Sequence, residues 1–221
     1  MIMLDILSDP ICPWCYIGKA KLDRALEAAP GHPFEIRWRP FQLNPEMPAE
    51  GMDRASYLEA KFGGPEGAQK VYDRIAQAAA EAGLDVDFSR IGRTPSTLDA
   101  HRLIRWARIE GLQQRVVDIL FRRYFTEGQD ISDRKILADA AEEAGLDRDL
   151  VERLLESEAD REEVRAEDAA ARDIGVSGVP TFLIDGKYVV QGAQEPDLWA
   201  RVIDELQQAA AAGPEVAEGR G

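Results

Sequence analysis

The sequence predicts an α/β fold in which one small sheet domain is interrupted by a helical insertion. Strand patterns occur only near the two ends of the 221-residue chain, whereas the long central part has apolar residues at helical spacing. The predicted order is therefore strand–helix–strand, a block of helices, and then strand–strand–helix. In the simplest architecture with this order, the two outer segments pack together as one domain.

The first segment predicts a parallel strand pair joined by a helix. Residues 3–8 form a short apolar strand, and Pro13 opens a helix that runs to about Ala29. A Pro-Gly-His-Pro turn follows, after which residues 34–41 alternate apolar and polar side chains as a strand does. Such a unit pairs its strands in parallel through a right-handed crossover.

The central block predicts an antiparallel bundle, because its helices are joined by short connections that glycines punctuate. The predicted helices span residues 67–82, 97–110, 112–126, 133–144 and 147–158. Near the end, two apolar runs flank Asp185-Gly186 and predict a β-hairpin. A final helix is predicted from about Pro196 to residue 210.

These elements predict the domain boundaries. The sheet domain would comprise residues 1–48 plus 174–210, and the helical insertion domain residues 49–173. Residues 211–221 are small and polar, and we expect a disordered tail there.

Composition limits the partners of the protein. The formal net charge is −14 and hydrophobic residues make up 45% of the chain. Such acidity argues against nucleic acid and against anionic membrane surfaces as partners.

No signal peptide or transmembrane run is visible, so we expect a cytoplasmic protein. Disulfides in that compartment are more often transient and catalytic than structural.

The only two cysteines, Cys12 and Cys15, are spaced C-x-x-C at the strand-to-helix junction, which is typical of thioredoxin-like redox sites. Residues three apart on a helical turn lie about 5–6 Å apart, within the range that a disulfide needs. The helix N-terminus favours an anion, so we expect a lowered pKa for Cys12. Cys12 is thus the candidate nucleophile and Cys15 the candidate resolving thiol, while Pro13 suits the first helical position.

Other interpretations of these residues remain open. Structural zinc needs four ligands, and the chain offers only two distant histidines besides the cysteines, so we predict no metal. The cysteines could also be inert and buried. Solvent exposure is the default expectation for Asp9, and a proton relay from Cys15 is its alternative role. His101 is expected to be a surface or capped histidine, because the sequence supplies no placed partner, and a proton shuttle is its alternative role. Trp14 could contact substrate or pack on the insertion.

A second motif, Gly178-Val179-Pro180-Thr181-Phe182, precedes the predicted hairpin. If the bond before Pro180 is cis, the backbone groups of Val179 are left free for an extended peptide. The residues alone favour a trans proline, since only about 5–6% of X–Pro bonds are cis.

Together the motifs resemble the DsbA-like thioredoxin superfamily, and most closely its FrnE-like branch. The segments that carry the resemblance are Asp9–Gly18, Trp38–Pro45, Leu98–Leu103, Gly178–Phe182 and Gly192–Gln194. The resemblance implies a thioredoxin-like fold interrupted by an all-helical insertion. It also implies that Cys12 attacks, Cys15 resolves and Pro180 is the cis-proline. Pro13, Trp14, Val179 and Gln194 are the candidate substrate contacts.

The leading hypothesis is a protein disulfide oxidoreductase or isomerase that exchanges disulfides with protein or small-molecule thiols. The branch is related to 2-hydroxychromene-2-carboxylate isomerases and kappa-class glutathione transferases, which typically carry serine in place of Cys12. A glutathione-dependent isomerase or transferase is therefore the alternative hypothesis, and a non-enzymatic holdase is the third.

No cofactor is required, but the relation admits glutathione as a reductant or ligand. The candidate residues to hold it are Val179, Gln194, Glu195 and Asp197. The oligomeric state stays open, with a homodimer among the candidates.

Overall fold

The computed structural model describes residues 1–212, and its elements follow the predicted order. The strands are β1 (Ile2–Ser8), β2 (Phe34–Pro40), β3 (Met52–Asp53), β4 (Arg93–Thr94), β5 (Thr181–Ile184) and β6 (Tyr188–Gln191). The helices are α1 (Pro13–Ala28), α2 (Arg54–Phe62), α3 (Pro65–Glu81), α4 (Leu98–Ala107), α5 (Gln113–Phe125), α6 (Arg134–Ala144), α7 (Arg148–Glu156), α8 (Arg161–Asp173) and α9 (Pro196–Ala212). The fold is thioredoxin-like, with the helices of the central block inserted between β2 and β5.

The main sheet joins both ends of the chain in the strand order β2-β1-β5-β6. The predicted parallel pair is confirmed, since β1 runs alongside β2 with Ile2 opposite Phe34. Strand β5 pairs antiparallel with β1 and places Thr181 opposite Leu7. The predicted hairpin is also confirmed, and its Asp185-Gly186 turn has both residues at positive φ, which suits an Asp-Gly pair.

The insertion packs against the edge strand of the sheet. Helices α4, α5 and α8 all contact β2. The side-chain amide of Gln113 accepts a hydrogen bond from the backbone N–H of Trp38 (3.1 Å) and donates to its carbonyl (3.2 Å). The open edge of β2 is thereby partly satisfied by a side chain from α5, and the insertion and sheet share one core.

Four elements of the insertion were not individually predicted. Helix α2 buries no residue, and α8 buries only Val164, Asp168 and Ala171, so neither has a broad apolar stripe to reveal it. Strands β3 and β4 form a two-residue antiparallel pair, so the insertion is not purely helical. Pairs this short carry no alternation that a sequence pattern could show.

The C-terminal helix closes the sheet domain. Helix α9 packs against α1, and the buried Trp199 meets Phe182 edge-on with ring centroids 4.7 Å apart. The helix extends to Ala212, two residues beyond its predicted end, and the rest of the tail predicted over 211–221 lies outside the described residues. Within residues 1–212, no helix combines the length and apolarity needed to cross a membrane.

Candidate active site

The turn between β1 and α1 places the two cysteines at the first turn of the helix. Cys12 is the N-cap residue with extended backbone angles, and Pro13 occupies the first helical position, as predicted. The backbone N–H of Cys12 donates to the carbonyl of Asp9 (2.9 Å), and the N–H of Cys15 donates to the carbonyl of Cys12 (3.0 Å). Cys12 therefore lies at the positive end of the α1 dipole, where an anion is favoured.

Both thiols are free and buried, with 4% of Cys12 and 1% of Cys15 exposed. The two cysteines lie 3.5 Å apart. Burial raises the pKa of Cys15 well above its usual range and Cys12 raises it further, whereas hydrogen bonds from the Ser8 hydroxyl and the Asp9 backbone oppose the rise. Cys15 is thus a thiol at neutral pH. Among residues 1–212, no group of three or more His, Cys, Asp or Glu side chains is placed to hold a metal ion.

The second motif meets the first across the sheet. The Val179–Pro180 peptide bond is cis, as the resemblance implied, and Pro180 is buried. The Cys12 thiol donates to the Val179 carbonyl with Sγ 3.6 Å from the oxygen. The backbone N–H of Gly192 donates to the Pro180 carbonyl (2.8 Å), which ties this loop to the end of the hairpin.

Gly18 permits the close approach of the proline loop to α1. A Cβ atom at position 18 would lie 3.0 Å from Cγ of Pro180 and 3.4 Å from Cα of Ala193. Only a residue without a side chain leaves both neighbours where they are. The helix that carries the cysteines is therefore in van der Waals contact with the segments that precede and follow the hairpin.

The remaining sequence-predicted residues line this region to different extents. Pro13 and Trp14 are half-buried, and the guanidinium of Arg74 lies 5.8 Å from the centroid of the Trp14 ring. Trp14 packs against the insertion, as one of the two sequence-based interpretations expected. Part of its side chain stays exposed. The Gln194 amide is half-exposed and donates to the Gln191 carbonyl (2.7 Å). A role in substrate binding stays a prediction for the four candidates Pro13, Trp14, Val179 and Gln194.

Two buried titratable residues beside the cysteines were misjudged from the sequence. Asp9, expected in solvent, is 0% exposed, and its carboxylate accepts hydrogen bonds from the N–H groups of Leu43 (2.6 Å) and Ile11 (3.3 Å). His101, expected at the surface, is also buried, and its Nε2 lies 3.9 Å from Oδ1 of Asp9. The apolar residues Leu98 and Ile104, three positions to either side of His101, were the sequence signal for its burial.

Burial controls the charge of this pair. It raises the pKa of Asp9 to about 7 and lowers the pKa of His101 to about 4, because a charged form is poorly solvated there. Between those two values both side chains are neutral, so the 3.9 Å contact is not an ion pair at mildly acidic pH. Within residues 1–212, Nε2 of His101 has no hydrogen-bond partner. A buried acid that titrates near neutral pH is suited to proton transfer.

The raised pKa of Asp9 predicts a pH-dependent stability difference between the wild type and Asp9→Asn. Between about pH 4 and pH 7 the folded protein keeps the Asp9 proton that the unfolded chain has lost, so ionisation costs stability as the pH rises. Asparagine does not ionise. Urea unfolding should therefore show that the free energy of unfolding of the wild type falls, relative to that of the variant, by about 3–4 kcal/mol as the pH rises across this range.

The opposite contribution of His101 is common to both proteins and cancels in the difference. Asp197→Asn, which changes an exposed carboxyl on α9, is the matched control and should give a flat difference. A flat difference for Asp9→Asn as well would contradict the buried, proton-binding state of Asp9.

Several solved structures share this fold at low sequence identity. The cytosolic disulfide reductase DsbM from Pseudomonas aeruginosa, solved with GSH, aligns with a TM-score of 0.68 and 18% identity over 93% of this chain and 99% of its own. A 2-hydroxychromene-2-carboxylate isomerase aligns with a TM-score of 0.71 and 18% identity over 95% and 98%. These two likenesses establish the fold.

More similar proteins match nearly the whole chain. A probable DsbA oxidoreductase from Streptomyces coelicolor is 33% identical, with a TM-score of 0.84 over 94% of this chain and 91% of its own. The uncharacterized protein YwbO of Bacillus subtilis is 28% identical over 208 residues, which are 94% of this chain and 98% of that protein. The model of the DSBA-like thioredoxin domain matches residues 3–204. The chain therefore belongs to the DSBA-like thioredoxin family, as its motifs suggested.

Proposed function

We propose that this protein is a thiol–disulfide oxidoreductase or isomerase that works through a Cys12–Cys15 dithiol–disulfide couple. The observation that carries the proposal is the position of two free thiols 3.5 Å apart at a helix N-terminus, with Cys12 against the carbonyl that precedes the cis-proline. A disulfide can close there with little backbone movement. Membership of the DSBA-like family supports the same chemistry.

In the reducing direction, the Cys12 thiolate attacks one sulfur of a substrate disulfide. A mixed disulfide forms and the first substrate sulfur leaves as a thiolate. The Cys15 thiolate then attacks the Cys12 sulfur, which forms the Cys12–Cys15 disulfide and releases the second substrate thiolate. Two electrons pass from the protein to the substrate, and the reverse sequence oxidises a substrate dithiol.

The resolving step needs a base, because Cys15 is a thiol whose pKa is raised by burial. We assign that role to Asp9, a fully buried carboxyl whose backbone N–H already contacts Cys15. With a pKa of about 7, Asp9 is ionised in part of its population at neutral pH and can take the proton. The Ser8 hydroxyl, also hydrogen-bonded to Cys15, would stabilise the resulting thiolate.

The substrate would lie against the proline loop and the N-terminus of the cysteine helix. Val179 offers its backbone groups for pairing with an extended peptide, and its carbonyl is already directed at Cys12. The half-exposed Pro13 and Trp14 would contact apolar substrate groups, and Gln194 would contact polar ones. Protein thiols and small thiols both fit this arrangement.

We further infer that the protein acts in the cytoplasm and can exchange with glutathione. Disulfides in that compartment are mainly transient and catalytic, as the proposed couple is. The structural likeness to DsbM, which is described as a cytosolic disulfide reductase and was solved with GSH, supports both points. Glutathione would serve as the reductant or as a bound ligand, and no other cofactor is needed for the exchange.

A glutathione-dependent isomerase or transferase is the second candidate function. The likeness to a 2-hydroxychromene-2-carboxylate isomerase over 95% of this chain favours it. In that reaction Cys12 would stabilise a bound glutathione thiolate and Cys15 would have no part. Full turnover of a small electrophile by Cys15→Ser in the presence of glutathione would favour this candidate.

Single cysteine substitutions should separate the two thiols. Cys12→Ser should abolish disulfide exchange, because serine cannot form the mixed disulfide. Cys15→Ser should still attack but should accumulate the mixed disulfide, because no resolving thiol remains. Incubation with a disulfide-linked reporter peptide, followed by mass analysis without reductant, distinguishes the two states. Exchange that survives in Cys12→Ser, or no trapped adduct in Cys15→Ser, would contradict the proposal.

Gly18→Ala should slow exchange although it favours the helix. The added Cβ would press on Pro180 and Ala193, and a shift of the proline loop relative to Cys12 by a few tenths of an ångström is expected to lower the rate about tenfold. Gly92→Ala is the matched control, since no atom lies within 4 Å of a Cβ at that position. Stopped-flow exchange with the reporter peptide measures both variants, and equal rates would show that the contact does not position the site.

A further inference from the structure

A cavity of about 190 Å³ lies between the segment that follows β2 and the helical insertion, and none of its lining residues belongs to the dithiol site. The polar residues that line it are Gln42, Ser96, Asp99, Ser132, Arg134, Arg161 and Arg165. Three arginines and one aspartate leave the lining with an excess of two positive charges. This local sign is opposite to the net charge of −14 of the chain as a whole.

The single acid in the lining is already shared among several guanidinium groups. Asp99 accepts from Nη1 of Arg102 at 2.8 Å, and it lies 3.3 Å from Nη2 of Arg161 and 3.9 Å from Nε of Arg134. One carboxylate cannot neutralise three cations. The cluster therefore keeps a positive potential that a further anion would offset.

The other acids near the arginines lie at the solvent-exposed rim. Glu158 is 3.4 Å from Nε of Arg161 and its side chain is 87% exposed, while Glu162 is 2.5 Å from Nη1 of Arg165 and its side chain is 81% exposed. Exposed pairs of this kind contribute little free energy. The arginines can exchange them for a better-ordered anion at small cost.

Three helices begin at this cavity. Leu98 opens α4, Arg134 opens α6 and Arg161 opens α8, and all three residues line it. Helix N-termini present unpaired N–H groups and the positive end of the helix dipole. Within residues 1–212, the Asp133 side chain caps α6, and the first N–H of α8, that of Arg161, donates to the carbonyl of Glu158 (3.3 Å), so α4 is the helix start that remains uncapped.

An unsatisfied donor supplies an independent indication of a ligand. The Nε atom of Arg161, a residue that lines the cavity, is buried and makes no hydrogen bond within residues 1–212, because the Glu158 carboxylate 3.4 Å away forms an ion pair with it but is not aligned as an acceptor. Buried donors without a partner are uncommon in folded proteins, because each carries a desolvation cost. An oxyanion in the cavity would satisfy this donor together with those of Arg134 and Arg165.

We propose that this cavity is a binding site for a small molecule that carries a phosphate or carboxylate group. Arg134, Arg161 and Arg165 hold the oxyanion with charge-assisted hydrogen bonds, and the N-terminus of α4 faces it. Asp99 keeps the guanidinium groups in place. The volume suits one phosphate or a small polycarboxylate, and the site does not depend on the redox chemistry of Cys12 and Cys15.

The test is calorimetric titration of the full chain with inorganic phosphate and, separately, with citrate, at fixed pH and ionic strength. Saturable binding at one site is expected. The double variant Arg134→Gln/Arg165→Gln should weaken it by at least about tenfold, because each lost guanidinium removes a charge-assisted contact. Both side chains are about half exposed, at 51% and 52%, so the variant should keep its fold.

The matched control is Arg153→Gln/Arg201→Gln, which changes the net charge equally at exposed positions outside the cavity. It should leave the affinity unchanged. Tighter binding of phosphate would identify a phosphorylated ligand and tighter binding of citrate a carboxylate ligand, and either supports the site. No saturable binding of either ion, or equal weakening in both double variants, would overturn it.

Discussion

The antiparallel pairing of β1 with β5 is the constraint on which the candidate site depends. It places Leu7 opposite Thr181, and so joins the turn that leads into Cys12 to the loop that carries Pro180. The contact between Cys12 and Val179 closes 167 residues of chain. The inserted helices must therefore leave from β2 and return to β5 without disturbing this pair.

The insertion also determines the environment of the thiols. Tyr16, on the cysteine helix, stacks on Phe121 and Phe125 of α5 with ring centroids 5.0 Å and 5.7 Å apart. Helix α4 brings His101 to Asp9. These contacts exclude water, and the loss of water raises the pKa of both Cys15 and Asp9. The burial of Cys15 and Asp9 thus depends on the packing of the inserted helices against the sheet and α1.

Much of the fold and the position of the cysteine pair could be predicted from local patterns. The cysteine spacing, Pro13 and the Asp185-Gly186 turn each express a short-range rule of backbone geometry, and the structure places all three where those rules require. The cis bond at Pro180 was accessible only through family resemblance, because isolated residues favour trans.

The burial of Asp9 and His101 could not be derived in the same way. Their charge states are set mainly by desolvation and are modified by Leu43 and Asp168, which belong to distant parts of the sequence. The converging helix starts around Arg134 and Arg161 likewise depend on tertiary packing, since the two arginines lie on different helices. Local sequence patterns predict where helices and strands lie. The desolvation and charge of a site depend instead on the residues that tertiary packing brings around it.

The central claim is that Cys12 and Cys15 form a reversible redox couple. The most direct measurement is the fraction of the Cys12–Cys15 disulfide across a series of glutathione redox buffers, read by mass after alkylation. We predict a single reversible transition with two-electron dependence, whose midpoint gives the reduction potential. Failure to form the intramolecular disulfide at any buffer ratio, or stable glutathione binding without exchange, would contradict the account.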